Sequence, residues 1–201
     1  MLLHALIPAS RANGPGQRAV VFFQGCSLRC QACWNPKSHP FRGTEMTVDT
    51  VAHEVLQAHT EHSLEGITLS GGEPMQPADS LLRLIQRLRQ KAPELSIGMF
   101  SGYAEHELDQ GQYWIWGDAS SDQRRQSLWQ EIRASLDFAI LGRFNQAQPC
   151  NMPFRTSRNQ VLRLFTDSYT PGDFSEQLTE VSINEGGRSE VTGFPTLGLP
   201  W

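Results

Sequence analysis

The chain has no apolar run long enough to cross a bilayer as a helix, so no membrane-spanning segment is expected. It is also short of positive charge. Lys37 and Lys91 are its only lysines, and 17 basic against 21 acidic side chains leave a net charge of -4. No strong basic field is present to hold nucleic acid, and no nucleic-acid partner is expected. The opening, Met1 to Pro8, is apolar but brief, with no basic region and no small-residue cleavage site. It does not read as a secretory signal, and a cytoplasmic location is expected. Internal repeats and low-complexity blocks are missing too. Cysteines are few, and three of the four fall between positions 26 and 33. A disulfide framework would spread its cysteines to close loops, so this cluster points to metal or redox work.

What is present is an ordinary globular composition, 39% apolar and 19% charged, over a length that suits one core. Ala19 to Gln24 reads as a short buried strand ending at Gly25, directly before the cysteines. Residues 26–46 read as loop, broken by Asn35-Pro36, His39-Pro40 and Gly43. A helix is expected from about Thr47 to Thr60, with Thr47 as its N-cap. A strand over Gly66 to Leu69 stops at Ser70-Gly71-Gly72-Glu73-Pro74. A helix over Pro77 to Lys91 carries Leu81, Leu84, Ile85 and Leu88 at helical spacing. A strand over Leu95 to Phe100 stops at Ser101-Gly102-Tyr103, and a helical turn follows over Ala104 to Leu108. Residues 110–122 read as a surface insertion, which Trp114, Trp116 and Trp129 either pack down, the reading favoured here, or offer to a partner. A helix over Asp122 to Ser135, a strand over Phe138 to Leu141 and a fifth strand over Gln160 to Phe165 complete residues 1–169 as the core. Residues 170–201 read as a C-terminal extension, with turn signals at Pro171-Gly172 and Gly186-Gly187. A hairpin is expected there, pairing Thr179 to Ile183 with Ser189 to Thr192 and packing on the core. Alternating strands and helices imply βαβ units, an α/β class and a mostly parallel sheet. The unusual loops follow strands one, two and three, where parallel folds build their sites.

The cysteine spacing is C-x3-C-x2-C over Cys26, Cys30 and Cys33. Three thiolates in one loop suit iron–sulfur chemistry or zinc. Structural zinc wants a fourth ligand, and neither His39 nor Cys150 stands at a familiar finger spacing. A cluster held by three cysteines leaves one iron open to an exchangeable ligand, which suits catalysis better than simple electron transfer. For Cys150 itself, a free thiol without catalytic role is the plainer reading. His59 and His62 lie at a helix end without a third ligand in view, which favours solvated or packed histidines.

Phe23-Gln24-Gly25-Cys26-Ser27-Leu28-Arg29-Cys30-Gln31-Ala32-Cys33-Trp34-Asn35-Pro36 resembles the cluster loop of the radical S-adenosylmethionine (SAM) superfamily. Within it, the chain resembles the branch of anaerobic ribonucleotide reductase activating enzymes, which are glycyl-radical activases. Asn13-Gly14-Pro15-Gly16-Gln17-Arg18, Leu69 to Pro74, Ser101 to Tyr103, Asp137 to Phe144 and Arg155 to Val161 agree in order, so the likeness spans about residues 4–165. The resemblance implies a partial (β/α) barrel of the radical SAM type. It implies a [4Fe-4S] cluster on Cys26, Cys30 and Cys33 that reductively cleaves SAM to a 5′-deoxyadenosyl radical. The partner implied is a glycyl-radical protein such as anaerobic ribonucleotide reductase, with a flavodoxin- or ferredoxin-type electron donor.

Gly71, Gly72, Glu73 and Pro74 fit SAM binding, because glycines let backbone pass close to a ligand and offer carbonyls to the methionyl ammonium. Glu73 either receives part of that charge or holds the turn. Ser101 either bonds the SAM carboxylate or ribose or serves as a turn serine. Asn35 either bonds a cluster sulfide or fixes the loop. Tyr103 either packs near the adenine or staples the helix after it. Gly14, Gly16 and Arg18 either shape the pocket mouth or form a surface turn with a solvated arginine, the reading favoured here. The chain departs from the branch at Leu141, where its members usually carry an acid, and in the segments 110–130 and 170–201, while Asp137 matches. Two other functions compete. One is a radical SAM synthase or maturase acting on a small molecule or peptide, resembling 7-carboxy-7-deazaguanine synthase; Trp34-Asn35-Pro36 speaks against it. The other is an iron–sulfur electron-transfer or zinc-binding module.

Overall fold

The computed structural model describes residues 1–176, 178–183 and 189–194. Seven strands form one open sheet: β1 (Leu2–Ser10), β2 (Arg18–Phe23), β3 (Thr44–Glu45), β4 (Gly66–Gly71), β5 (Ser96–Ser101), β6 (Phe138–Leu141) and β7 (Val161–Leu164). Their order is β3-β1-β2-β4-β5-β6-β7. The ladders β2–β4, β4–β5 and β5–β6 are parallel, so the centre of the sheet is parallel. The class is α/β, as the alternation of elements implies.

The central strands are mostly buried, because the sheet is covered on both sides. In β6, alternation sorts the residues: Ala139 and Leu141 join the large core under the helices, while Phe138 and Ile140 join Phe154 and Phe174 in a second cluster. Helix α1 (Val48–His62) starts at Thr47, whose hydroxyl accepts from Thr50 N at 3.1 Å, and ends at Ser63 in the left-handed region. Helix α2 (Ala78–Lys91) buries Leu81, Leu84, Ile85 and Leu88. Helices α3 (Glu105–Asp109) and α4 (Asp122–Arg133) link β5 to β6. None of the helices is long and apolar enough to cross a membrane, among the described residues.

Four features differ from the sequence reading or lie outside it. The apolar opening forms β1, which pairs antiparallel with β2 and carries two register irregularities. The expected fifth strand exists as β7 but runs antiparallel to β6. Parallel pairing needs a crossover, and residues 142–160 contain no helix or strand to provide one. Residues 110–122 are more than a surface insertion, because Tyr113 and Ile115 are buried in the main core. Of the three tryptophans only Trp129 packs down, while Trp114 and Trp116 are 43% and 48% exposed.

The fourth difference is Arg18, which is fully buried rather than solvated. It sits at the start of β2, the end of the parallel strands remote from the cysteines. Nε donates to Thr68 Oγ1 (2.9 Å), Nη1 to Pro15 O, Ser96 Oγ and Tyr169 Oη, and Nη2 to the carbonyls of Ile67 and Ser96. Such full satisfaction is what a buried guanidinium requires. Tyr169 in turn donates to Glu65 at 2.8 Å, linking the network to a carboxylate.

The tail supplies a hairpin of β8 (Thr179–Ile183) and β9 (Ser189–Gly193), separate from the main sheet. Glu180 accepts from Ser10 Oγ and Arg11 N, and Thr192 Oγ1 from Asn13 Nδ2, so the hairpin is tied to the turn after β1. The turn signal at Gly186-Gly187 lies outside the described residues.

Candidate functional site

The C-terminal ends of β2, β4, β5 and β6 lie side by side, and the segments leaving them carry the unusual residues. After β2 the chain turns at Gly25 and doubles back: Gly25 N donates to Ser38 O (2.7 Å) and Cys26 N to His39 O (3.0 Å). Gln24 closes the base of this loop, its Nε2 donating to the carbonyls of Lys37 and Pro40. Inside the loop Arg29 and Ala32 have φ of 45° and 54°, a conformation that non-glycine residues adopt at a cost and that clusters at functional sites.

The sulfurs are dressed with backbone donors. Near Cys26 the N–H groups of Leu28 and Arg29 favour its thiolate. Cys33 Sγ receives Asn35 N at 3.4 Å, while Cys33 N donates to Cys30 O. Burial, with Glu73 nearby, nevertheless pushes the Cys26 thiol up to about 11, and burial raises Cys33 as well. Thiols in such surroundings stay protonated at neutral pH unless a metal cation takes the proton's place. Among the described residues no three His, Cys, Asp or Glu side chains are drawn together around one ion. A cubane asks for a wider spread, since each thiolate meets a different iron. Three soft donors on one loop, with N–H groups aimed at sulfur, fit an iron–sulfur cluster. Asn35 contributes through its backbone: its N–H meets Cys33, and its carbonyl accepts from Ser38 N and Ser38 Oγ.

The segment after β4 is stitched to that loop. Gly72 N donates to Phe23 O (2.8 Å) and Glu73 N to Gly25 O (3.0 Å). Gly71 has φ of 103°, and a Cβ on it would lie 2.5 Å from Phe23 N. The two glycines therefore permit one backbone to lie against another. Pro74 follows, buried. Glu73 is fully buried and accepts from Met75 N (3.0 Å), Ser101 Oγ (2.7 Å) and Gly102 N (2.7 Å). Burial pushes it up to about 7 against those donors. Glu73 thus holds its own turn and ties β4 to β5. Ser101 Oγ, committed to Glu73, also accepts from Tyr103 N, the arrangement of a turn serine. Tyr103 presents its hydroxyl to Trp114 N and Gln76 Nε2.

Gln76 is a residue that sequence reasoning missed. Fully buried, it accepts from Ser27 N at 3.0 Å and also contacts Ser27 Oγ, so it pins the cluster loop from the far side of the Gly-Gly-Glu-Pro turn. A glutamine two residues after a motif proline carries no sequence signal of its own. Arg143, after β6, was likewise not singled out. It pairs with Glu107 at 2.6 Å and lies over the Tyr103 ring at 5.5 Å. Of the other candidates, Cys150 donates to Arg155 O, and His59 bonds Leu64 O and Glu94; neither joins a ligand set.

Comparison with known proteins adds to this geometry. Residues 12–163 match the family of 4Fe-4S single cluster domains. The anaerobic ribonucleoside-triphosphate reductase-activating protein of Vibrio cholerae serotype O1 is 30% identical over 174 residues, covering 83% of this chain and 99% of that protein. Its namesake from Haemophilus influenzae is 30% identical over 164 residues, 79% of this chain and 94% of that protein. The Escherichia coli K12 protein of the same name is 32% identical over 120 residues, 56% of this chain and 75% of that protein.

Proposed function

Because the chain belongs to the 4Fe-4S single cluster domain family, together with the anaerobic ribonucleoside-triphosphate reductase-activating proteins, we propose that it is a radical SAM enzyme that activates a glycyl-radical partner. The observation that carries this reading is the direct backbone stitching of the cysteine loop to the Gly-Gly-Glu-Pro turn at the active end of a parallel sheet. Cys26, Cys30 and Cys33 hold the cluster. When bound, a [4Fe-4S] cluster on these residues would supply the electron for reductive cleavage of SAM, and with it the 5′-deoxyadenosyl radical that would take a hydrogen atom from a glycine of the partner.

The protein's own part is binding, orientation and exclusion of water. Gly71 and Gly72 would let main chain pass beside SAM and offer carbonyls to its methionyl ammonium, on a turn that Glu73 and Pro74 hold. Ser101 acts through Glu73, which it fixes by a 2.7 Å hydrogen bond. The Asn35 N–H on Cys33 compensates charge on the sulfur. Helices cover one face of the sheet, which supports reading it as part of a (β/α) barrel whose open side receives substrate. The partner is an anaerobic ribonucleotide reductase, served by a flavodoxin or ferredoxin, and the location that goes with this reading is the cytoplasm.

The test is anoxic reconstitution followed by iron analysis, reduction with SAM, and electron-spin resonance on the mixed reductase. Expected are deoxyadenosine and a glycine-centred radical. Cys26→Ala, Cys30→Ala and Cys33→Ala should each lose the cluster and fall to background, while Cys150→Ala keeps both. A protein that binds zinc instead, or cleaves no SAM when reduced, overturns the reading.

A further inference from the structure

Beside the cluster loop lies an aromatic groove that the chemistry above does not use. Phe41, on the returning limb of that loop, meets Trp114 edge-on at 5.1 Å and Trp116 at 5.7 Å with planes 32° apart. Both indoles are close to half exposed, an uncommon state for two tryptophans so near each other. The groove under Trp116 encloses about 260 Å³. Besides Phe41 and Trp116, its wall includes the carboxylates Glu45, Asp79 and Asp118 and the terminal residue Met1. The Met1 ammonium is turned to Met46 O (2.7 Å), and Asp79 is paired with Arg124. Glu45 and Asp118 are exposed and have no ion-pair partner among the described residues.

We propose that this groove is the docking site for an arginine side chain of the protein partner. The inference rests on the activase reading and adds the surface by which the partner is recognised. A guanidinium is flat, weakly hydrated and always charged; it stacks on Trp and Phe faces and takes carboxylates at its edge. The groove offers those two features together, with two uncommitted acids and aromatic walls. Its position gives the contact a consequence. Trp116 N donates to Gln76 O (2.9 Å), and the Gln76 side chain accepts from Ser27 N beside Cys26. Occupation of the groove thus reaches Gln76, which braces the cluster loop, through Trp116, and also Phe41, whose ring stands against Gly25.

The experiment measures binding of the anoxically reconstituted chain to the glycyl-radical reductase of the same organism, across a salt series. Trp116→Ala and the double variant Glu45→Gln/Asp118→Asn should each weaken the complex about ten-fold, the size of a lost anchor contact. The double variant should also flatten the salt dependence, while its iron content and partner-free SAM cleavage match the unaltered chain. Equal affinity and equal salt slope in all variants overturn the docking site alone. A concentration-dependent dimer abolished by Trp116→Ala overturns it as well, by making a second copy the occupant. If the unaltered chain forms no complex, the activase reading fails and the docking site falls with it.

Discussion

A Cβ on Gly72 would stand 2.3 Å from the carbonyl oxygen of Gly25, an approach that no side chain can make. The atom in its way is backbone of the cluster loop and has no rotamer in which to retreat. Gly72→Ala must therefore push apart the two segments that hydrogen-bond through Gly72 N and Glu73 N. The expected cost is about 2 kcal/mol in urea unfolding, within the range for overpacking a tight site. The same variant should retain less iron after reconstitution, because the displaced segment carries Cys26. Normal stability with normal iron would show that the two loops need no close contact.

Between elements, Asp137 is a second tie, beside Arg18, at the far end of the sheet. It precedes β6 and accepts from Ile97 N (2.7 Å), Arg89 Nη2 (2.8 Å) and Thr166 Oγ1 (2.9 Å), joining the start of β5, the end of α2 and the chain after β7. Burial alone would raise its pKa, but the Ile97 N–H, Arg89 and Thr166 outweigh it and hold the carboxyl below its ordinary value of 3.8. A depressed carboxylate stabilises the fold above the unfolded pKa, and that stability is lost as pH falls through the folded pKa. Asp137→Asn should cost about 2 kcal/mol at pH 7. The gap between variant and parent should close only below about pH 4. A gap that is constant with pH would assign the effect to packing instead of charge.

At the scale of the whole molecule, the tail belongs to the packing. Phe174 is 4% exposed and meets Phe138 at 4.9 Å and Phe154 at 5.8 Å, completing the second core on the face away from α1, α2 and α4. Phe194, from β9's end, continues the cluster toward Phe100 and Trp34, next to Cys33. Phe174→Ala should lower stability by about 3 kcal/mol, as for other buried aromatics. Val181, on the outer face of the hairpin and 62% exposed, is the control: Val181→Ser should change stability by less than about 0.5 kcal/mol. Equal effects would mean that the tail is not part of the core.

The amino-acid order by itself determined the alternation of elements, the α1 cap at Thr47, the apolar stripe of α2 and the loop of three cysteines. These are local signals, written in spacings of two to four residues. It did not reveal that Arg18 is buried, because its partners Thr68, Ser96 and Tyr169 lie 50, 78 and 151 residues away. Nor could it show that Gln76 braces the cysteine loop 49 residues before it, or that Trp116 faces outward while Trp129 faces in. The direction of β7 was equally closed to it, since a strand reads the same either way. Only the tertiary structure decided these points. A side chain's burial and partner are set by which distant segments come to lie against it, and a short spacing does not record that.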